Sequence, residues 1–197
     1  MNASTSFVKS LLAQCCLGGI CEWVVCPGAR NMALLQVLAA AEDLVQWTHF
    51  DERSAAFFAL GRIQDMGLPA AVVTTSGTAA AELLPAVVEA YYQRRPLLLL
   101  TADRPADYRG SAAPQAIEQA DMFGIYAPTI DLQTPDDLPE DILEDWDYAS
   151  PLHINVCLPD PDPTWNPGHC DLYPAEPPEE NKFRGSCLLY TSPSPRD

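Results

Sequence analysis

The chain has 197 residues, of which 48% are hydrophobic and 19% charged, a composition that predicts a folded domain with a substantial core. Its 27 acidic side chains outnumber 11 Lys and Arg, which gives a net charge of −16 at pH 7. Because so acidic a surface repels phosphate backbones, we expect no nucleic-acid partner. The sequence offers neither a long uninterrupted apolar run nor a basic stretch leading into one. We therefore expect no membrane span, no secretory signal and a cytoplasmic location.

The positions of the charged residues and of the cysteines bear on the linker, the state of the thiols and metal binding. Residues 110–181 carry sixteen acidic side chains and no Lys or Arg, and we interpret this block as solvated helix faces and linker. None of the seven cysteines forms a C-x-x-C pair, and the three histidines are not spaced as zinc ligands. We expect reduced, mostly buried thiols and no metal held by this chain alone.

Apolar runs alternate with segments of helical periodicity along most of the chain. In order, the predicted elements are a helix from residues 4–6 to Gly18, a strand at 22–26, a helix at 32–41, a strand at 44–50, a helix at 52–65, a strand at 70–75, a helix at 78–92, a strand at 96–101, a helix at 115–123, a strand at 129–132, an acidic helix at 138–146 and a strand at 152–157. This alternation predicts an α/β fold in three layers, with a parallel sheet between two layers of helices.

Three segments follow from this pattern. Residues 1–158 are predicted to form the domain, and residues 159–185 an acidic, Pro-rich linker. Residues 186–197 (SCLLYTSPSPRD) are unlike the rest. We interpret them as a non-native tail from sequencing-adapter read-through, the alternative being a natural disordered terminus, and expect them to pack against nothing.

The candidate functional residues follow the predicted strands. Ligands of parallel α/β sheets bind at the carboxyl ends of the strands, which gathers Arg30, Glu52, Ser76 and Arg104 at one edge. In His49–Arg53 (HFDER), Asp51 suits a helix cap and Glu52 suits the first helical turn. The alternative is that Glu52 is a partly buried carboxylate held for proton chemistry.

The other motifs also have two interpretations each. Thr75–Ala80 (TSGTAA) is either a tight turn packed by small residues or a site for an anion or a partner domain. Asp103 and Arg104 form either a local salt bridge or, through Arg104, a two-pronged contact to a substrate carboxylate. The same choice applies to Arg30 in the PGAR turn. The sequence has no G-x-S-x-G, Walker A or G-x-G-x-x-G motif, which argues against three common enzyme classes.

Taken together, the motifs resemble a known family. PGAR, HFDER, TSGTA, LLLLTADRP and PQAIEQADMFG, in this order, resemble the N-terminal pyrimidine-binding domain of thiamine-diphosphate enzymes over residues 7–158. The nearest likeness is to the 2-succinyl-5-enolpyruvyl-6-hydroxy-3-cyclohexene-1-carboxylate synthases of the menaquinone pathway. The resemblance implies a thiamine-diphosphate-binding fold of the pyrimidine-domain type. It also implies a transferase that joins decarboxylated 2-oxoglutarate to isochorismate.

The resemblance assigns roles residue by residue. Glu52 matches the glutamate that activates thiamine diphosphate through a hydrogen bond to its aminopyrimidine ring. The turn at Ser76, Gly77 and Thr78 would contact the cofactor, and a substrate pocket would be lined by Arg30, Arg104 and Gln115. The chain departs from the family pattern at Ala29, where Ser is usual, and at Pro114, where Asn is usual. Both departures bear on the acceptor substrate rather than on thiamine.

The resemblance also implies what this chain lacks. The sequence has no Gly-Asp-Gly motif followed by Asn, which binds the diphosphate and its Mg²⁺ or Mn²⁺ in the family. We therefore expect a fragment that is inactive alone, from a homodimer or a dimer of dimers. Two other functions remain open: another thiamine-diphosphate 2-oxo-acid lyase, such as an acetolactate-synthase-like subunit, or a non-catalytic α/β interaction module. The last of these predicts that Glu52 faces solvent.

Overall fold

Six strands form one sheet in which each pair of neighbours is parallel. The computed structural model describes residues 3–174, and its strands lie in the order β2-β1-β3-β4-β6-β5. They are β1 (Glu22–Val25), β2 (Val45–Thr48), β3 (Ala70–Thr74), β4 (Leu97–Asp103), β5 (Thr129–Leu132) and β6 (Leu152–Cys157). All residues of β1, β3, β4 and β6 are buried, because these four strands lie inside the sheet and both of their faces are covered.

Helices cover both faces of the sheet. They are α1 (Ala3–Leu17), α2 (Met32–Ala39), α3 (Glu52–Met66), α4 (Thr78–Ala81) and α5 (Leu84–Gln93). Apolar side chains of α1 and α2 form a core with one face of the sheet, and those of α3 and α5 form a second core with the opposite face. The predicted three-layer parallel α/β fold is therefore confirmed.

The helix predicted at 78–92 is divided into α4 and α5. Pro85 lies in the first turn of α5, where its missing N–H leaves no hydrogen bond unmade. In one continuous helix its ring would clash with the carbonyl group four residues earlier. The break therefore follows from the proline.

The predictions of helices at 115–123 and at 138–146 are wrong. Residues 115 and 120–123 lie in turns and residues 116–119 are irregular, and Gln115 and Asp121 have positive φ angles of 55° and 59°, which no right-handed helix accommodates. The acidic segment also forms turns, and a 3-10 turn at Pro135–Asp137 precedes it. There Asp141 accepts a hydrogen bond from the backbone N–H of Leu143. Such side-chain contacts compete with helical hydrogen bonds, which explains the error.

Residues 159–174 contain no helix or strand and lie along α1 and α2. Lys9 Nζ donates to the carbonyl of Pro167 at 2.8 Å, and Gln36 Nε2 donates to that of Trp165 at 2.8 Å. The predicted boundary between domain and linker stays a prediction. Residues 175–185 of the predicted linker and the tail at 186–197 lie outside the described residues.

Two further features concern the whole described segment. No helix between residues 3 and 174 has both the length and the apolar character needed to cross a membrane. The six cysteines in this part of the chain are free thiols, and all but Cys21 are buried, which confirms the predicted burial. Cys187 lies outside the described residues.

Candidate functional site

The candidate residues lie in the loops that follow the strands. Arg30 follows β1, Glu52 follows β2, Ser76 follows β3 and Arg104 follows β4. Because these strands are parallel and adjacent, their carboxyl ends open on one edge of the sheet. The topology therefore gathers the loops as the sequence predicted.

The PGAR turn is fixed against the loop after β3. A Cβ atom on Gly28 would lie 2.5 Å from Cβ of Thr75, so only glycine permits this approach. The backbone N–H of Arg30 donates to Thr75 Oγ1 at 3.3 Å. Buried Asn31 accepts a hydrogen bond from the Gly28 N–H and donates one to the Cys26 carbonyl, both at 2.9 Å. Asn31 was not among the residues predicted from the sequence to have a role, and its amide holds the turn closed.

The side chain of Arg30 is bonded within the chain. It is 8% exposed. Its Nη1 donates to the Leu158 carbonyl at 3.1 Å, and its Nη2 donates to Asp160 Oδ1 at 2.9 Å. A carboxylate thus already meets the guanidinium that was predicted to bind a substrate carboxylate.

Glu52 is the first residue of α3 and is half-buried. Asp51 is the helix cap, and its carboxylate accepts a hydrogen bond from the Ser54 N–H at 2.7 Å, so this part of the capping interpretation is confirmed. Burial, and then the charges of Glu52 and Asp51, raise the pKa of the Cys26 thiol to about 12. The Glu52 carboxylate therefore lies near the end of β1, and its half-buried position differs from the solvent-facing one that a non-catalytic module predicts.

Gly77 occupies a position that other residues would strain. Its φ is +81°, and a Cβ atom there would lie 3.0 Å from both Cα and Cβ of Gln115. Its backbone N–H donates to Gln119 Oε1 at 2.9 Å, so this N–H is not open to an anion. Ser76 is buried and Thr78 is exposed.

Arg104 and Gln115 are brought close together by a hydrogen bond from Arg104 to Pro114, the residue before Gln115. Arg104 Nε donates to the carbonyl of Pro114 at 2.9 Å, and its guanidinium lies 5.4 Å from the ring centroid of Tyr108, within the range of a cation–π interaction. Gln115 is exposed and contacts Gly77 as described. Arg104, Gln115 and the turn at 76–78 are thus neighbours.

Of the two interpretations offered for Asp103 and Arg104, the local salt bridge between their side chains is not found among residues 3–174. Asp103 Oδ1 accepts a hydrogen bond from the backbone N–H of Arg104 at 2.7 Å. The ion pair of Asp103 is with Arg109, at 3.3 Å. The carboxylate therefore fixes the backbone of Arg104, while its charge is balanced by a residue further along the chain.

A buried polar row crosses the sheet beside this site. The register aligns Thr74 with Thr101, Thr101 with Asn155, and Asn155 with Asp131. This row was not predicted from the sequence, although polar residues at alternate positions of otherwise apolar strands could have signalled it. The amide of Gln119 joins the row from the loop above.

The negative charge of Asp131, at the end of the polar row, is balanced by Arg109. Arg109 contacts both carboxylate oxygens of Asp131, at 2.7 and 2.8 Å. Burial alone would raise the pKa of Asp131, but hydrogen bonds from Arg109, Asn155 and Gln133 lower it to about 2. Nearby His153 is fully buried between Thr101 and Thr129, and burial lowers its pKa to about 3. His153 is therefore neutral at physiological pH.

The residues at this edge fit a ring with nitrogen atoms better than they fit a metal. A half-buried carboxylate stands at the start of α3, and the buried hydroxyl of Thr74 has no hydrogen-bond partner among the described residues. Within residues 3–174, no three side chains of His, Cys, Asp or Glu come together as a metal site. An organic group that offers hydrogen-bonding nitrogens suits this edge.

Comparisons with known proteins show which family the chain is similar to. The family described as "Thiamine pyrophosphate enzyme, N-terminal TPP binding domain" matches residues 6–122. A protein of Akkermansia muciniphila named 2-succinyl-5-enolpyruvyl-6-hydroxy-3-cyclohexene-1-carboxylate synthase is 91% identical over 186 residues, which cover 94% of this chain and 35% of that protein.

Two more distant relatives carry the same name. The protein of Bdellovibrio bacteriovorus is 44% identical over 73% of this chain, and that of Chloroflexus aurantiacus is 48% identical over 69% of it. The match covers 27% and 23% of their lengths, so this chain spans about a third or less of the curated relatives it matches. The family match, which extends over more than half of the chain, shows that this protein belongs to the thiamine pyrophosphate enzymes and carries their N-terminal TPP binding domain.

Proposed function

We propose that this chain is the N-terminal part of a synthase that joins decarboxylated 2-oxoglutarate to isochorismate in menaquinone biosynthesis, a carboligase of the transferase class. The observation that carries the proposal is the 91% identity to a protein named as this synthase. The position of Glu52 at the open edge of the sheet supports it. As a part of the whole enzyme, the chain alone is expected to be inactive.

Glu52 is the proposed catalytic residue of this part. Thiamine diphosphate, when bound, supplies the electron sink that 2-oxo-acid decarboxylation requires. The Glu52 carboxyl group would share a proton with a ring nitrogen of the cofactor, and its half-buried position limits competition from water. Ser76, Gly77 and Thr78 would line the cofactor. The diphosphate and a Mg²⁺ or Mn²⁺ ion would be held by a domain outside this chain.

Three further residues would bind substrate. The guanidinium groups of Arg30 and Arg104 are suited to the carboxylates of 2-oxoglutarate and isochorismate. Gln115 would donate or accept one hydrogen bond beside them. The contacts of Arg104 with Pro114 and Tyr108 support this role, because they hold the guanidinium near Gln115.

We also propose a homodimer or a dimer of dimers, located in the cytoplasm. Phe50, two residues before Glu52, is 97% exposed, and Tyr92 on α5 is 71% exposed. Burial of such side chains against a second domain or subunit would be favourable. The position of Phe50 beside Glu52 supports a shared site.

The test is the reaction of the full-length protein. Purified enzyme with thiamine diphosphate and Mg²⁺ is expected to release CO₂ from 2-oxoglutarate only when it can pass the remaining fragment to isochorismate, with the adduct identified by mass spectrometry. Product from pyruvate alone would favour an acetolactate-synthase-like enzyme. Absence of any thiamine-dependent turnover, with the protein folded, would favour the non-catalytic module and refute the proposal.

A further inference from the structure

We propose that Gln119 is a positioning residue that sets the spacing between the turn at Ser76–Thr78 and Arg104. The inference rests on the proposed function, in which the turn contacts the cofactor and Arg104 contacts a substrate. Gln119 itself is fully buried and would touch neither of them. It would act through the backbone atoms it holds.

The amide of Gln119 is bonded on both sides. Its Oε1 accepts the hydrogen bond from the Gly77 N–H at 2.9 Å. Its Nε2 donates to Asn155 Oδ1 at 2.8 Å, with Thr101 Oγ1 and the Ala102 carbonyl each at 3.0 Å. A buried amide is costly unless its hydrogen bonds are made, so its hydrogen bonds, rather than packing alone, account for a glutamine here.

The bonds of Gln119 continue to Arg104. Asn155 Nδ2 donates to Asp103 Oδ2 at 3.1 Å, and Asp103 Oδ1 accepts from the Arg104 N–H at 2.7 Å. Gly77 and Arg104 are therefore the two ends of one chain of hydrogen bonds. Arg109 balances the charge of Asp103 and anchors this chain of hydrogen bonds near the protein surface.

The loop that carries Gln119 has no regular structure to hold it. Gln119 lies in the irregular stretch 116–119, between turns in which Gln115 and Asp121 have positive φ angles. Gln115 is packed directly against Gly77. The hydrogen bond from Gly77 to Gln119 therefore holds the loop at 115–123 against the turn at Ser76–Thr78. A shift of either segment would move Gln115 as well.

The test compares three variants of the full-length enzyme. Q119M keeps the length of the side chain but removes both the acceptor for Gly77 and the donor to Asn155. Q119E keeps an acceptor for Gly77 and alters the bond to Asn155. V156A is the matched control, because Val156 is fully buried on the opposite face of β6 and its truncation lowers stability without touching these hydrogen bonds.

The first readout is amide hydrogen exchange at Gly77 in the cofactor-free protein. We expect Q119M to accelerate this exchange about tenfold or more, Q119E to recover most of the protection, and V156A to leave it near that of the wild type after correction for global stability. The second readout is the affinity for thiamine diphosphate and the KM for substrate. In Q119M we expect the Kd for thiamine diphosphate and the KM for substrate each to rise about tenfold. In V156A we expect each to change less than twofold.

Unchanged Gly77 exchange in Q119M would overturn the inference. So would equal losses of affinity in Q119M and in V156A at matched stability, because those would indicate a general packing role. Failure of the wild-type enzyme to make the proposed adduct would instead count against the proposed function. The exchange at Gly77 and the affinity for the cofactor would still decide the role of Gln119.

Discussion

Arg30 donates a hydrogen bond from Nη2 to Oδ1 of Asp160 at 2.9 Å, across 130 residues of sequence. The guanidinium is almost fully buried, whereas Asp160 is largely exposed, with 84% of its side-chain surface accessible. A guanidinium that is proposed to bind a substrate carboxylate is thus paired with a carboxylate of the chain itself. The two carboxylates would compete for the same donor.

Removal of this competitor should strengthen substrate binding. We expect D160N in the full-length enzyme to lower the KM of the substrate that Arg30 binds by about two- to fivefold, a modest effect because solvent screens an exposed carboxylate. Steady-state kinetics with each substrate varied in turn would measure it. D162N is the control, because Asp162 carries the same charge in the same segment and its side chain bonds locally to Thr164. A rise in KM in D160N alone would instead mean that Asp160 orients Arg30 for the substrate.

Gly77 and Gly61 should respond oppositely to alanine. G77A places a Cβ at a φ of +81° and 3.0 Å from Gln115. We expect it to lower the free energy of unfolding by about 1–2 kcal/mol and to raise the KM of the substrate near Gln115. Gly61 lies within α3, and a Cβ atom added there would meet nothing within 4 Å. G61A should therefore stabilise the domain by about 0.5–1 kcal/mol. Chemical denaturation of both variants would check the pair, and equal effects would contradict the assigned strain.

His153 should make the fold sensitive to acid. Its pKa lies near 3 in the folded protein and near 6.5 in an unfolded chain. Below about pH 6.5 the unfolded chain binds a proton that the folded chain does not, so the stability that His153 contributes is lost as the pH falls towards its folded pKa.

The H153Q variant isolates this contribution. As the pH falls from 6 to 4, the free energy of unfolding of the wild type should decrease relative to that of H153Q by about 1.4 kcal/mol per pH unit or less. The acid dependence of the carboxylates is common to both proteins and cancels in the difference. Urea denaturation at several pH values would measure it, and a difference independent of pH would show that His153 is not buried in its neutral form.

The sheet could be predicted because its signal is local. Continuous apolar runs such as β4 identified the inner strands, and turns after each strand placed the candidate residues at one edge. Glycine at residues 28 and 77 also had a local signal, although the partners that require it, Thr75 and Gln115, appear only in the structure.

The features that were missed depend on contacts distant in sequence. Gln119 bonds to Gly77, 42 residues away, and to Asn155, 36 residues away. No periodicity in the sequence marks such pairs. Helical periodicity around residue 119 predicted a helix, but the segment instead makes these hydrogen bonds and has a positive φ at Gln115. The pairing of Asp103 with Arg109 rather than with adjacent Arg104 has the same cause, because geometry and not sequence distance selects an ion-pair partner.

Glu52 is proposed to activate the cofactor, and the turnover of E52Q in the full-length enzyme is the decisive measurement of that role. D51N is the control, because Asn caps a helix about as well as Asp and the Asp51 carboxylate accepts its hydrogen bond from Ser54. With thiamine diphosphate saturating, we expect E52Q to bind the cofactor but to lose at least about a thousandfold in kcat, equivalent to roughly 4 kcal/mol, while D51N stays within about twofold. A kcat for E52Q close to that of D51N, with cofactor bound, would contradict the claim.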